Sequence, residues 1–259
     1  MRVTRWIGPG VLVAAVIVAA GLGWSGPARA EQSPGDLVER GRVIYAQSCQ
    51  TCHGADGAGQ AEQGIPNLHG VGAAAVDFYV STGRMPEANL ARQAPRKPPT
   101  ISPDDRAALV AYVATTWPGG PEIPALASGA DLTAGGDLFR SNCAACHGAA
   151  GAGAALAYGA FAPSLSQATA VQVAEAARVG PGNMPVFQPS SLNPQQITDI
   201  AAYVQYLRHP RDRGGASLGH TGPIAEGFVG LLIGVGAAVG IAAFVGDRSD
   251  AEPMERSHD

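Results

Sequence analysis

The sequence predicts a mainly α protein: two tandem small domains of one build, followed by a single C-terminal transmembrane helix. Three observations carry this. The stretch Cys49-Gln50-Thr51-Cys52-His53-Gly54 returns once, as Cys143-Ala144-Ala145-Cys146-His147-Gly148. Each copy follows an amphipathic helical stretch and precedes a capped one, with corresponding features offset by about 91 to 99 residues, the mark of a duplicated unit. Near the C-terminus, Gly227 to Val245 is 19 residues without a charge.

Taken in order, Arg2 and Arg5 precede an apolar run from Ile7 to Trp24, and Ala28-Arg29-Ala30 follows it. Residues 1–30 therefore read as a signal peptide or an N-terminal anchor, about 18 apolar residues being near the lower limit for a span. In either case the arginines stay in the cytoplasm and the chain after residue 30 is exported.

All four cysteines lie in the two repeated motifs, so none remains for a disulfide. The pattern C-x-x-C-H attaches c-type haem: two thiols one helical turn apart add to the vinyl groups, and the adjacent imidazole reaches the iron. Zinc binding or dithiol redox chemistry asks for no His directly after the second Cys. The sequence thus predicts two covalently bound haem c groups, with thioethers from Cys49, Cys52, Cys143 and Cys146 and proximal ligands His53 and His147.

The first domain is placed at residues 31–117. Asp36 to Ser48 puts Leu37, Gly41, Ile44, Tyr45 and Ser48 on one helical face and delivers Cys49 at its end. Ser102-Pro103-Asp104-Asp105 opens a second helix, with Leu109, Tyr112 and Val113 on its apolar face, and Trp117-Pro118 ends it. Residues 118–134, rich in Pro, Gly and Ala, read as a semi-rigid linker. The second domain, 135–210, restarts the pattern: Gly136, Phe139 and Cys143 answer Gly41, Tyr45 and Cys49. Asn193-Pro194-Gln195-Gln196 opens a terminal helix with Ile197, Ile200, Ala201, Tyr203, Val204 and Leu207 on its buried face.

A sixth ligand has to come from elsewhere in each domain. Apart from Met1 and Met254, the chain has only Met85 and Met184, each followed by Pro and lying 32 and 37 residues after His53 and His147. Lone methionines at matching places point to axial ligation of haem iron, which leaves no open coordination position and suits electron transfer rather than bond chemistry. His69 is the rival ligand in the first domain, but the second has no histidine at the matching place, and a polar loop residue is the plainer reading.

From Met85 to the Ser102 cap there are 17 residues, against 9 from Met184 to Asn193. The extra segment holds the basic loop Arg92 to Pro99, with Arg96 and Lys97, read either as a solvated loop or as a docking surface for an acidic partner. Sixteen scattered arginines and one lysine form no basic stripe, which argues against nucleic acid as a partner. Residues 211–226 form a juxtamembrane segment, 227–245 the transmembrane helix and 246–259 a cytoplasmic tail. Two G-x-x-x-G pairs in the helix allow close approach of a neighbour. Arg208, Arg211 and Arg213 on the outer side outnumber Arg248 and Arg256, so orientation rests on the export signal rather than on charge bias.

A helix with a small residue and an aromatic before C-x-x-C-H, packed across a C-terminal helix, resembles the cytochrome c fold. That resemblance assigns Pro66 and Pro163 the task of presenting a carbonyl to the proximal His ring. Over nearly the whole exported chain, Gly83-Arg84-Met85-Pro86, Arg96-Lys97-Pro98-Pro99, Ala162-Pro163-Ser164-Leu165, Asn183-Met184-Pro185-Val186-Phe187 and Ser217-Leu218-Gly219 resemble the dihaem cytochrome c subunits of actinobacterial cytochrome bc complexes, menaquinol:cytochrome c reductases. The resemblance implies a cell-membrane protein with its haem domains on the extracytoplasmic side. It implies cytochrome b and Rieske iron-sulfur subunits as partners and an aa-type cytochrome oxidase as electron acceptor. A free-standing anchored dihaem shuttle and a dihaem peroxidase are the alternatives.

Overall fold

The structure, a computed structural model, describes residues 33–88, 93–210 and 223–249. The leader, Arg92, Ser217-Leu218-Gly219 and the chain beyond 249 lie outside the described residues.

Helix α1 (Pro34–Ser48) begins where Ser33 Oγ accepts the Asp36 N–H at 3.2 Å, with Pro34 in the first turn. The backbone breaks at Cys49 and resumes as the single turn α2 (Gln50–His53). A loop then leads to α3 (Ala73–Ser81), and α4 (Pro103–Thr116) starts at Ser102, which caps the Asp105 N–H at 3.2 Å. Helix α4 crosses α1, and the crossing is tight because Gly41 faces it: a Cβ there would stand 2.0 Å from Ala108 O. Tyr45, Leu109, Val113 and Trp117 form the small core beside this crossing. Of the face expected on α1, Gly41 and Tyr45 are buried and Leu37 and Ile44 half-buried, whereas Ser48 is exposed.

The second half repeats the plan with α5 (Leu132–Asn142), the turn α6 (Ala144–His147), α7 (Ala170–Val179) and α8 (Pro194–Arg208). Its core gathers Phe139, Leu192, Ile197, Ile200 and Val204. The glycine at the α5–α8 crossing is Gly135, whose Cβ would stand 2.1 Å from Asp199 O; Gly136, expected there, faces the side chain of Tyr203 instead. Gly135 sits eight residues before Cys143, as Gly41 does before Cys49, so the register of the duplication is kept and the expected pairing was one residue off.

Helices α3 and α7 were not foreseen. Ala73, Ala74, Ala75, Phe78, Val80 and Ser81 are all buried, so α3 has no polar face for a periodicity to show. For α7 a signal was present: Thr169 and Gln172 form a reciprocal capping box. A short antiparallel pair, β1 (Ala154–Ala155) with β2 (Phe161–Ala162), was also unforeseen. It corresponds to the single bridge Gln60–Ile65 of the first half, with a longer connection between its arms.

Residues 118–134 do not hang free between the halves. Pro121 O accepts the Ala74 N–H at 3.0 Å, Leu126 packs on the second core, and Ala127 N–H reaches Thr198 Oγ1 at 3.1 Å. The halves also touch directly, α3 lying against α7. Gln172 Nε2 donates to Ser81 Oγ at 3.0 Å, and Gln93 both donates to Phe161 O (2.7 Å) and accepts its N–H (3.3 Å).

Helix α9 (Pro223–Ser249) contains the span Ile224–Gly246, 23 residues apolar enough to cross a membrane. At about 1.5 Å per residue this reaches roughly 35 Å, enough for the hydrocarbon core. The span is wider than 227–245 because Ile224, Ala225 and Gly246 extend it past Glu226.

Candidate functional site

Both repeated motifs sit at the same structural place, the step from a long helix into a single turn. His53 N–H and Cys52 N–H both point to Cys49 O, at 3.0 and 3.2 Å, and the second copy matches them at 2.9 and 3.2 Å. This turn puts each Cys pair and the following His on one side of the backbone. The loops after the motifs are held alike: Gly59 N–H bonds His53 O at 2.9 Å, and Gly153 N–H bonds His147 O at 2.8 Å. In the first half Tyr45 Oη also donates to Gly54 O at 2.7 Å. Burial pushes the Tyr45 hydroxyl well above the usual phenol range, so it stays a donor.

The proximal ring of each motif is oriented by a proline carbonyl. His53 Nδ1 lies 3.1 Å from Pro66 O and His147 Nδ1 2.9 Å from Pro163 O. Nδ1–H donating to a carbonyl leaves Nε2 as the basic nitrogen, the state a metal ligand needs.

A cavity of about 1310 Å³ runs through both halves. That exceeds the roughly 300–1,000 Å³ of ordinary small-molecule pockets. Cys49, Cys52, His53 and Met85 line it from the first half, and Cys143, Cys146, His147 and Met184 from the second. Pro66 and Pro163 line it as well. The walls between are largely apolar, with Val80, Leu109, Leu165 and Val204 among them. Such a surface, carrying two thiols, one imidazole and one thioether per half, fits a large flat apolar group bound covalently with iron at its centre. Before any thioether forms, burial and then the neighbouring thiol push Cys49 and Cys143 up to about 11.

His69 does not line this cavity. Its Nε2 lies 2.7 Å from Asp56 O, and its ring stacks on Trp117 at 5.6 Å, so it braces the loop behind α2.

The two described cations of the basic loop, Arg96 and Lys97, are half-buried and held by the chain itself, while Pro95, Pro98 and Pro99 are exposed. Arg96 Nη2 donates to Gln167 O at 2.9 Å and Gln172 Oε1 at 3.0 Å, both in the second half, and Lys97 Nζ donates to Pro86 O at 3.2 Å. Burial, then the charge of Arg208, lower the pKa of Arg96; burial, then Arg96, lower that of Arg84. Sequence reasoning weighed this loop only as a surface feature, because a contact with the chain's own second half leaves no local pattern. It missed Arg84 as a cavity residue for the same reason.

A second polar cluster lies in the seam. Asp77 on α3 pairs with Arg106 on α4 at 2.7 Å, and the fully buried Glu175 of α7 faces both. Burial first, then the charge of Asp77, push the Glu175 carboxyl up to about 9, against the opposing pull of Arg106, and neither of its oxygens has a hydrogen-bond partner among the described residues. It is therefore protonated at neutral pH.

The sequence matches the family described as "Cytochrome C oxidase, cbb3-type, subunit III" over residues 36–113 and 130–204, the two helical halves. It is 40% identical over 263 aligned positions to the "Cytochrome bc1 complex cytochrome c subunit" of Mycobacterium tuberculosis, covering 96% of this chain and 93% of that protein. The protein of the same name from Corynebacterium diphtheriae is 37% identical, with 93% and 90% covered. For the Mycobacterium leprae protein, again of that name, identity is 40%, with 85% and 78% covered. With a tandem pair of cytochrome c-like segments, one helix fit to span a membrane and this similarity along nearly its whole length, the chain belongs to the family of cytochrome bc1 complex cytochrome c subunits.

Proposed function

We propose that this chain is a membrane-anchored dihaem c-type cytochrome, the electron-transfer subunit of a respiratory menaquinol:cytochrome c reductase. In this reading it takes electrons from the Rieske protein of a complex that includes cytochrome b and delivers them to an aa-type cytochrome oxidase. The observation that carries it is the pair of complete donor sets on one cavity. The names of the relatives support the assembly.

When bound, each haem supplies a one-electron iron couple. The residues do the rest. Cys49 and Cys52 would hold one group and Cys143 and Cys146 the other, with His53 and Met85, and His147 and Met184, as the residues that would bind each iron. The Pro66 and Pro163 carbonyls fix each imidazole in the tautomer that offers Nε2. A thioether sulfur favours ferrous iron and so raises the potential. With a His and a Met both held on the iron, such a site would pass electrons and perform no bond chemistry. In this reading residues 1–30, as signal peptide or anchor, direct export, so that the two halves, residues 31–117 and 135–210, lie outside the cytoplasmic membrane and the tail, residues 246–259, inside.

Purification in mild detergent, with haem quantification and subunit identification, tests this. Two covalent haems per chain and co-purifying b-type cytochrome and Rieske proteins are expected. Two haems without those partners would favour a free-standing shuttle. One high-spin haem would favour a peroxidase and remove Met ligation from that half.

A further inference from the structure

Three arginines, Arg84, Arg96 and Arg208, gather where the two halves meet, and none of the three pairs with a carboxylate among the described residues. Arg84 directly precedes Met85 and lines the cavity. Its guanidinium lies 5.0 Å from the centroid of the Phe78 ring, and its Nη1 is buried with no hydrogen-bond partner among the described residues. Arg96 lines the same cavity, steered across the seam by Gln167 O and Gln172 Oε1. Arg208 lies close enough for its charge to act on Arg96, and its own N–H groups are held by Ser166 O and Ala168 O. The ion pairs among the described residues all use other arginines. Glu87 also lines the cavity, but its buried Oε1 bonds to nothing described.

Like charges held together and partly out of water are unfavourable unless an anion completes them. Each haem brings two propionate carboxylates on the edge away from its vinyl groups. The cysteines hold the vinyl side, and His and Met hold the iron, so nothing assigned so far meets the anionic edge. A guanidinium matches a carboxylate with parallel N–H···O bonds.

We propose that Arg84 and Arg96 bind haem propionates, so that both haems turn their anionic edges toward the seam between the halves. This rests on the dihaem reading above. Arg84, beside Met85, serves the first-half haem, and Arg96, docked on Gln167 and Gln172, serves propionate at the crossing to the second. Reduction adds negative charge at the iron, and a nearby guanidinium favours it, so these arginines hold the potentials up.

The test is spectroelectrochemical titration of the full-length protein in detergent, as wild type, R84Q, R84K, R96Q and R42Q. Arg42 is exposed and paired with Glu39, so R42Q controls for mere loss of surface charge. The expected result is a roughly tenfold fall in the reduced-to-oxidised ratio of one haem at fixed potential in R84Q, a shift of 59 mV for one electron. R84K should recover most of it and R42Q should match wild type, while R96Q lowers a potential too. Variants R84Q and R96Q that carry both haems at unchanged potentials would overturn the proposal. If R84Q does not accumulate, R96Q decides: both haem potentials equal to wild type in R96Q would overturn it. A wild-type chain without covalent haem, read from the haem count rather than from the potentials, would instead remove the dihaem reading itself.

Discussion

Glu175 is a fully buried carboxyl placed between a negative and a positive neighbour, Asp77 and Arg106. Its folded pKa of about 9 stands above the ordinary 4.5, so the folded state binds more protons than the unfolded chain between those values. Stability contributed by this group is thus fully present below pH 4.5 and is lost as pH rises toward 9. The slope is at most about 1.4 kcal/mol per pH unit for one proton. Glu175→Gln keeps the shape and removes the proton, so it should raise the melting temperature at pH 8 and leave it nearly unchanged at pH 4.5. Thermal denaturation at both pH values measures this, and equal shifts at the two would show that Glu175 does not titrate with folding. The pair Glu175–Asp77 was invisible in the sequence because its members lie far apart in the chain, and only the packing of α7 on α3 joins them.

At the scale of helices, the crossings α1–α4 and α5–α8 depend on single glycines. A Cβ on Gly41 would meet Ala108 O at 2.0 Å, and one on Gly135 would meet Asp199 O at 2.1 Å; backbone cannot yield as a flexible side chain can. Gly41→Ala and Gly135→Ala should each cost about 1–3 kcal/mol or more and lower the yield of haem-loaded protein. Gly136→Ala should cost less, because its neighbour at 2.9 Å is the Tyr203 ring, which can turn aside. Chemical denaturation of the three variants ranks them, and a larger loss at Gly136 than at Gly135 would contradict the register. The cap at Ser102 predicts a smaller effect: Ser102→Ala removes the acceptor for the Asp105 N–H and should cost about 1 kcal/mol. Helices that cap and alternate, α1, α4 and α8, were legible in the sequence, as were the two motif turns. Helix α3 was not, because every face of it is used, and neither was the β1–β2 pair, whose arms are too short to alternate.

For the whole molecule, a proline-rich linker reads as separation, whereas the structure makes it a strap. The backbone of residues 121–131 bonds to both halves, through Pro121 O to Ala74 and Asp131 N–H to Asp199. The halves bond each other through Gln172 to Ser81, Gln93 to Phe161 and Arg96 to Gln167. Sequence periodicity could find the two units, since each has its own local pattern, but it carries no information about a surface formed between them. If the seam holds the halves together, the covalent link is dispensable once they have folded. A protease site inserted between Glu122 and Ile123, where the strap is exposed, should yield two fragments that still co-elute on gel filtration in detergent. Adding Gln172→Ala and Arg96→Gln to the cleaved protein should weaken that association, because three seam hydrogen bonds go with them. At about 0.5–1.5 kcal/mol per neutral hydrogen bond, and somewhat more for those of Arg96, the apparent dissociation constant should rise by one to three orders of magnitude. Fragments that separate at once on cleavage would mean that the strap alone holds the halves together, and the single cavity would then depend on an intact chain.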